Sequence, residues 1–211
     1  MYKHLVLSKL KETIAMALAT GAADRRQADR VAGQLLAEDD GSFITRGSGI
    51  VMVTPAMSSL LHYGLCRYGY VRESLALLQR RFNRMLDPET NRTLWEEWWR
   101  DGTGRSGVFQ KRTRSDAQTE SAFPPALFGE FILGIRPLKP GLREVELTVP
   151  DCGLTVIEGS IPSPKGILSV WWDMAERDLL IEIPQGMQVR FVLPSDASIQ
   201  ILNNGNHHVR F

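Results

Sequence analysis

The run Thr93-Leu94-Trp95-Glu96-Glu97-Trp98-Trp99 holds two carboxylates and three indoles within seven residues. On a helix, Glu96 and Glu97 point about 100° apart, so one pocket cannot receive both. By itself such a pair reads as a solvated helix face. Trp95, Trp98 and Trp99 fit two readings equally well: a stacking wall in a ligand cavity, or an anchor in the core. Trp95 is the one expected at a cavity.

Other chemical strings are weaker. Gly102-Thr103-Gly104-Arg105-Ser106-Gly107 spells a dinucleotide fingerprint, but the fold around such a loop needs a strand before it and a helix after it. Here a tryptophan-rich segment precedes it and a basic polar stretch follows, which reads as a loop. His207 and His208 are neighbours, and neighbours on a strand face opposite sides, so no shared metal is expected. His62 reads as a satisfied structural histidine. Asn91-Arg92-Thr93 is a glycosylation sequon with no secretory context to give it meaning. No cofactor is expected.

The elements that must position these groups change character along the chain. Leu7, Leu10, Ile14 and Leu18 recur at helical spacing until Gly21 stops them, and residues 22–37 continue in helix-forming composition. Thr54-Pro55 reads as an N-cap with proline at the first helical position. An apolar stripe follows through Met57, Leu60, Leu61, Leu65 and Tyr68. After Gly69, a further helix turns Leu75, Leu78, Phe82 and Met85 inward. Helices joined by such short turns form hairpins of an α/α array. A last helix is expected over 122–135, ending at Gly134.

Beyond it, alternation in 145–149, 179–184, 188–193 and 198–202 predicts four to six short strands, with Asn203-Asn204-Gly205-Asn206 as a hairpin turn. The fold class is therefore α+β: helical hairpins followed by a C-terminal antiparallel β-sandwich. The expected division is 1–138 and 139–211.

The 211 residues carry 25 Lys+Arg against 24 Asp+Glu, which removes the electrostatic case for nucleic acid or a membrane as partner. With 43% hydrophobic residues the chain can bury a core. Cys66 and Cys152 suggest neither a disulfide framework nor a metal site. No apolar run resembles a signal or a span, so the sequence as given is expected in the cytoplasm.

Several signatures occur together in order. Thr54-Pro55 and Thr93-Leu94-Trp95-Glu96 come first, then Ile132-Leu133-Gly134-Ile135 through Pro137, then Pro140-Gly141. Gly159-Ser160-Ile161-Pro162-Ser163-Pro164-Lys165-Gly166 follows, and Ile167-Leu168-Ser169-Val170-Trp171 closes the set. In this order they resemble the C-terminal part of bacterial α-L-rhamnosidase-like glycoside hydrolases, over residues 47–193. Another helical-barrel glycosidase would fit the helices but not the C-terminal signatures.

The resemblance implies the end of a six-hairpin helical barrel followed by a β-sandwich, with a rhamnoside or related glycoside as the carbohydrate partner. It implies inverting hydrolysis by two carboxyl groups, one donating a proton and one activating water. The base falls on Glu96. The acid falls on no residue of this sequence, so the chain is expected to be inactive alone. Where many relatives carry a histidine and a tryptophan before the last helix, this sequence has Gln118 and Glu120. These are expected on the substrate side with Trp95 as a platform. Gln118 can hydrogen-bond a hydroxyl but cannot titrate near neutrality. The alternative is a non-catalytic carbohydrate-binding or oligomerisation module, with homo-oligomers formed through exposed helical faces.

Overall fold

Asp24 opens the helix that follows Gly21 with a reciprocal cap. Gln27 N–H donates to Asp24 Oδ1 at 2.7 Å, and Asp24 N–H donates to Gln27 Oε1 at 3.0 Å. This is a capping box, and it sets the start of α1 at Arg25–Glu38 rather than at residue 22. The computed structural model describes residues 15–38, 55, 57–86, 92–96 and 118–211. They fall into two units, Met1–Pro124 and Pro125–Phe211.

In the first unit, residues 15–20 are helical, and α2 (Ser58–Arg67) and α3 (Val71–Phe82) form a hairpin. Glycine ends two of these helices by the same device. Gly21 and Gly69 have φ of +74° and +85°. At the second, Gly69 N–H donates to the Cys66 carbonyl and Tyr70 N–H to the Leu65 carbonyl, both at 3.0 Å. That is a Schellman motif, which satisfies carbonyls a helix end would leave bare. Leu18, Leu61 and Leu65 are buried, and Ala15, Ala32, Leu35 and Leu77 join the leucines of α2 in one core cluster. Gly64 admits the helical segment at 15–20, because a Cβ there would lie 2.6 Å from Leu18 Cβ.

Two helical expectations are corrected. Thr54 lies outside the described residues, and α2 starts at Ser58, three residues beyond Pro55. The buried face of α3 is partly polar: Ser74 and Arg81 are buried beside Leu77, Leu78 and Phe82, while Leu75 is half-buried. Periodicity in apolar residues alone does not see that face. Among the described residues no helix is long and apolar enough to cross a membrane.

All but the first residue of α4 (Pro124–Phe131) belong to the second unit, and the helix is shorter than the one expected over 122–135. Eight strands follow: β1 (Ile135–Pro137), β2 (Glu144–Thr148), β3 (Val156–Ser163), β4 (Gly166–Asp173), β5 (Asp178–Ile183), β6 (Gln188–Val192), β7 (Ile199–Leu202) and β8 (Gly205–Arg210). They form two four-stranded sheets, ordered β1-β2-β6-β7 and β3-β4-β5-β8. Buried alternate residues meet between the sheets. Trp172 of β4 approaches Phe191 of β6, with ring centroids 6.0 Å apart, and Phe211 closes on both.

The sandwich is not wholly antiparallel, because β2 and β6 pair in parallel, Glu144 opposite Gln188 through Thr148 opposite Val192. Three strands of the other sheet lie between them in sequence, so no local pattern announces the pairing. The Asn203-Asn204 link is not a hairpin either. β7 pairs with β6 and β8 with β5, so the link carries the chain from one sheet to the other. Gly205, at φ +116°, supplies the backbone turn.

Candidate functional site

The segment carrying Trp95 and Glu96 is not helical where it is described. Residues 92–95 are irregular and Glu96 sits at a bend. Glu97, Trp98, Trp99 and the Gly102–Gly107 string lie outside the described residues.

What positions the segment is the chain just before α4. The Gln118 N–H donates to the Leu94 carbonyl at 2.9 Å. Three residues on, the Ser121 hydroxyl donates to the Trp95 carbonyl at 2.9 Å, in a buried position. Ser121 belongs to a 3-10 turn, Thr119–Ala122, that hangs from Gln118 by a Ser121 N–H bond to the Gln118 carbonyl. An irregular segment has no ladder of its own, so its backbone groups must be satisfied from elsewhere. Here the Gln118–Ser121 turn does so.

The four expected site residues thus come from two segments that bond to each other. Glu96 is half-buried, Gln118 is half-buried and Glu120 is exposed. The Gln118 side-chain amide donates to Glu120 Oε2, and the Thr119 hydroxyl donates to the same oxygen at 3.2 Å. Glu120 is therefore held by its neighbours as an acceptor. Trp95 retains only 7% of its exposure, which fits the anchor side of its two readings. Thr93 Oγ1 is buried without a hydrogen-bond partner among the described residues.

Beneath the turn lies His62, fully buried on α2. Its ring stacks on Phe123 at 5.6 Å, and Phe123 meets Phe82 edge-on. His62 Nδ1 lies 2.8 Å from Ser74 Oγ, and Nε2 has no partner among the described residues. The histidine is thus only half satisfied, contrary to expectation. Burial, assisted by the positive charge of Arg81, pushes its pKa down to about 3, so the ring is neutral at any physiological pH.

The sequence reading named Gln118 and Glu120 but passed over Ser121, which makes the connection. Its signal was weak: a small hydroxyl residue next to an alanine and ahead of two prolines. His207 and His208 turn to different partners, the Asn203 carbonyl at 2.7 Å and Asp178 Oδ1 at 3.3 Å. Among the described residues no three His, Cys, Asp or Glu side chains are grouped to hold a metal ion. Cys66 and Cys152 are both buried and no disulfide joins them.

Residues 134–208 match the family described as the bacterial alpha-L-rhamnosidase C-terminal domain. The chain resembles the C-terminal part of an α-L-rhamnosidase. A curated alpha-L-rhamnosidase from Alteromonas sp. (strain LOR) is 31% identical over 83 residues, which are 38% of this chain and 9% of that enzyme. Among solved structures, the GH78 family rhamnosidase of Bacillus sp. GL1 aligns with 87% of the chain at 24% identity and a TM-score of 0.64. The α-L-rhamnosidase of Aspergillus terreus aligns with 94% at 19% identity, also with a TM-score of 0.64. That of Streptomyces avermitilis, solved with L-rhamnose, aligns with 92% at 16% identity and a TM-score of 0.65. At these identities the rhamnosidase structures speak for the fold, and this chain spans 19%, 23% and 21% of their respective lengths.

Proposed function

We propose that this chain is the C-terminal portion, or a truncated relative, of an inverting α-L-rhamnosidase-type glycoside hydrolase, and that alone it does not turn over substrate. The observation that carries the reading is the family match over residues 134–208. In this reading α1 to α4 derive from the hairpins of an α/α barrel. The carbohydrate is a rhamnoside or a related glycoside, the class suggested by the Streptomyces avermitilis relative solved with L-rhamnose.

Glu96 takes the part of the base. Its place at a bend, on a segment bonded to the Gln118–Ser121 turn, gives it a fixed mount. Gln118 and Glu120 serve as hydrogen-bonding groups on the substrate side, and Trp95, being buried, backs the site. Inversion needs a second carboxyl group roughly 6.5–9.5 Å from the base to admit water. In this reading that acid comes from outside residues 1–211.

The test is incubation of the full chain with a chromogenic aryl α-L-rhamnoside, with Glu96→Gln alongside. No release of chromophore from either protein is the expected result. Release that vanishes in Glu96→Gln would refute the claim of inactivity while keeping the base. Release that persists in Glu96→Gln would remove Glu96 from the mechanism.

The exposed Met16, Met57 and Leu86 of the helical unit favour a second reading, an oligomerisation module. Sedimentation velocity over a range of concentrations decides it. A concentration-independent monomer overturns that reading.

A further inference from the structure

The register of the second sheet rules its outer face into rows. One row runs Glu158, Trp171, Leu180, His208 across β3, β4, β5 and β8. The next runs Ser160, Ser169, Glu182, Asn206. Between them lies the row Gly159, Val170, Ile181, His207: Val170 and Ile181 are buried in the sandwich, Gly159 has no side chain, and the His207 ring at the end turns to the Asn203 carbonyl. The backbone there forms the floor of a groove of about 570 Å³, with the two outward rows as its banks. That volume suits a small ligand, since such sites run from roughly 300 to 1,000 Å³.

The banks differ in chemistry. One offers the half-buried indole of Trp171 beside the exposed side chain of Leu180 at its centre, with Glu158 and His208 at its two ends. The other offers two hydroxyls, a carboxylate and an amide. We propose that this groove binds a neutral saccharide. A pyranose ring has an apolar C–H face to lie on Trp171 and Leu180, and a rim of hydroxyls to pair with Ser160, Ser169, Glu182 and Asn206.

Other ligands fit worse. Glu158 and Glu182 line the groove and its walls hold no lysine or arginine; of its two histidines, His208 faces Asp178 and His207 the Asn203 carbonyl, so an anion meets the carboxylates. A wholly apolar partner would strip water from the polar bank without replacing its hydrogen bonds. Both banks stand on hydrogen-bonded strands, which hold the side chains in place before a ligand arrives. The site uses neither Glu96 nor the Gln118–Ser121 turn, so it stands or falls apart from the glycosidase reading.

Saturation-transfer NMR on the full chain, with methyl α-L-rhamnopyranoside, maltotriose and sodium D-glucuronate as probes, tests it. At least one neutral probe is expected to bind with Kd of about 1 mM, with the strongest transfer to its ring C–H protons. Trp171→Ala is expected to weaken that binding about tenfold or more. Trp171→Phe, which keeps an aromatic face, should retain most of it, and this separates loss of stacking from loss of fold. Glu182→Gln should weaken it less than Trp171→Ala, and Glu96→Gln should leave it unchanged. The proposal is overturned if neither neutral probe binds, if glucuronate binds best, or if Trp171→Ala binds as the parent does. Binding lost in Glu96→Gln would also overturn it, by placing the sugar in the other site.

Discussion

The buried Ser121 hydroxyl donates to the carbonyl oxygen of Trp95 across 26 positions of chain. Its neighbouring link, Gln118 N–H to the Leu94 carbonyl, makes the contact a two-point clasp. The candidate base at Glu96 follows directly after the clasped residue. Any orientation it has toward a substrate depends on this joint.

Ser121→Ala should therefore loosen the Trp95–Glu96 segment. Removing the donor leaves a buried carbonyl unsatisfied, at a cost of about 1–3 kcal/mol. The expected outcome is faster hydrogen exchange at the Gln118 amide and a lower unfolding midpoint, with the sandwich amides unchanged. Equal protection at Gln118 in both proteins would show that the clasp does not hold the segment.

A second prediction concerns the entry to the sandwich. Gly134 has φ +77°, and a Cβ there would lie 2.0 Å from the Thr148 carbonyl oxygen, a backbone atom that cannot swing aside. The Thr148 N–H meanwhile donates to the Gly134 carbonyl at 3.0 Å, locking the two backbones together. Gly134→Ala should cost more than about 3 kcal/mol. Gly205→Ala is the control: its φ of +116° is also unfavourable, but nothing lies within 4 Å of the added carbon. It should cost only backbone strain, about 1–3 kcal/mol. Chemical denaturation of the two variants should rank them in that order.

Much of the sandwich could be read from the sequence because its strands alternate cleanly. β2, β5, β6 and β7 fall within a residue or so of the expected strands, and the first three bury their alternate residues, while β7 buries only Leu202. β3 was hidden because Gly159 and Pro162 look like breakers. As an edge strand bonded only to β4, it tolerates both. The Asn203-Asn204-Gly205 string has hairpin chemistry but serves a crossing between sheets, since turn residues fix local backbone and not which strand is the partner. At the site the limit was similar. Gln118 and Glu120 come into view only through the family resemblance, as the residues that stand where relatives carry a histidine and a tryptophan. That Ser121 would bond a carbonyl 26 positions earlier was not legible, because a long-range side-chain bond leaves no periodic trace.

Trp172 gives a third prediction. It is fully buried between the sheets, and its indole N–H donates to the Leu133 carbonyl at 3.1 Å, next to Gly134. Trp172→Phe keeps an aromatic ring against Phe191 and Phe211 but removes the donor and leaves space. A loss of about 2–4 kcal/mol is expected. The adjacent Trp171 faces outward, so Trp171→Phe should leave the denaturation midpoint nearly where it was. Similar midpoints for the two variants would contradict the inward and outward assignment.

His62 makes the helical unit sensitive to mild acid. Above an unfolded-state pKa of about 6.5 the ring is neutral in both states, so it adds no dependence on pH. Below that value the unfolded chain takes a proton, while the folded ring resists until its own pKa of about 3. The unfolded state then binds more protons, and stability falls as pH falls, by up to about 1.4 kcal/mol per pH unit. The carboxylates of Asp29, Glu144, Asp178 and Asp196 are held below their ordinary range. Each stabilises the fold above its unfolded pKa and loses that contribution only in stronger acid, so pH 5 to 6.5 is where His62 stands out. His62→Phe keeps the stack on Phe123 and removes the titration. Measured by denaturation at pH 7 and pH 5, the parent should lose stability that the variant keeps. Parallel losses in the two proteins would mean that His62 accepts its proton in the folded state after all.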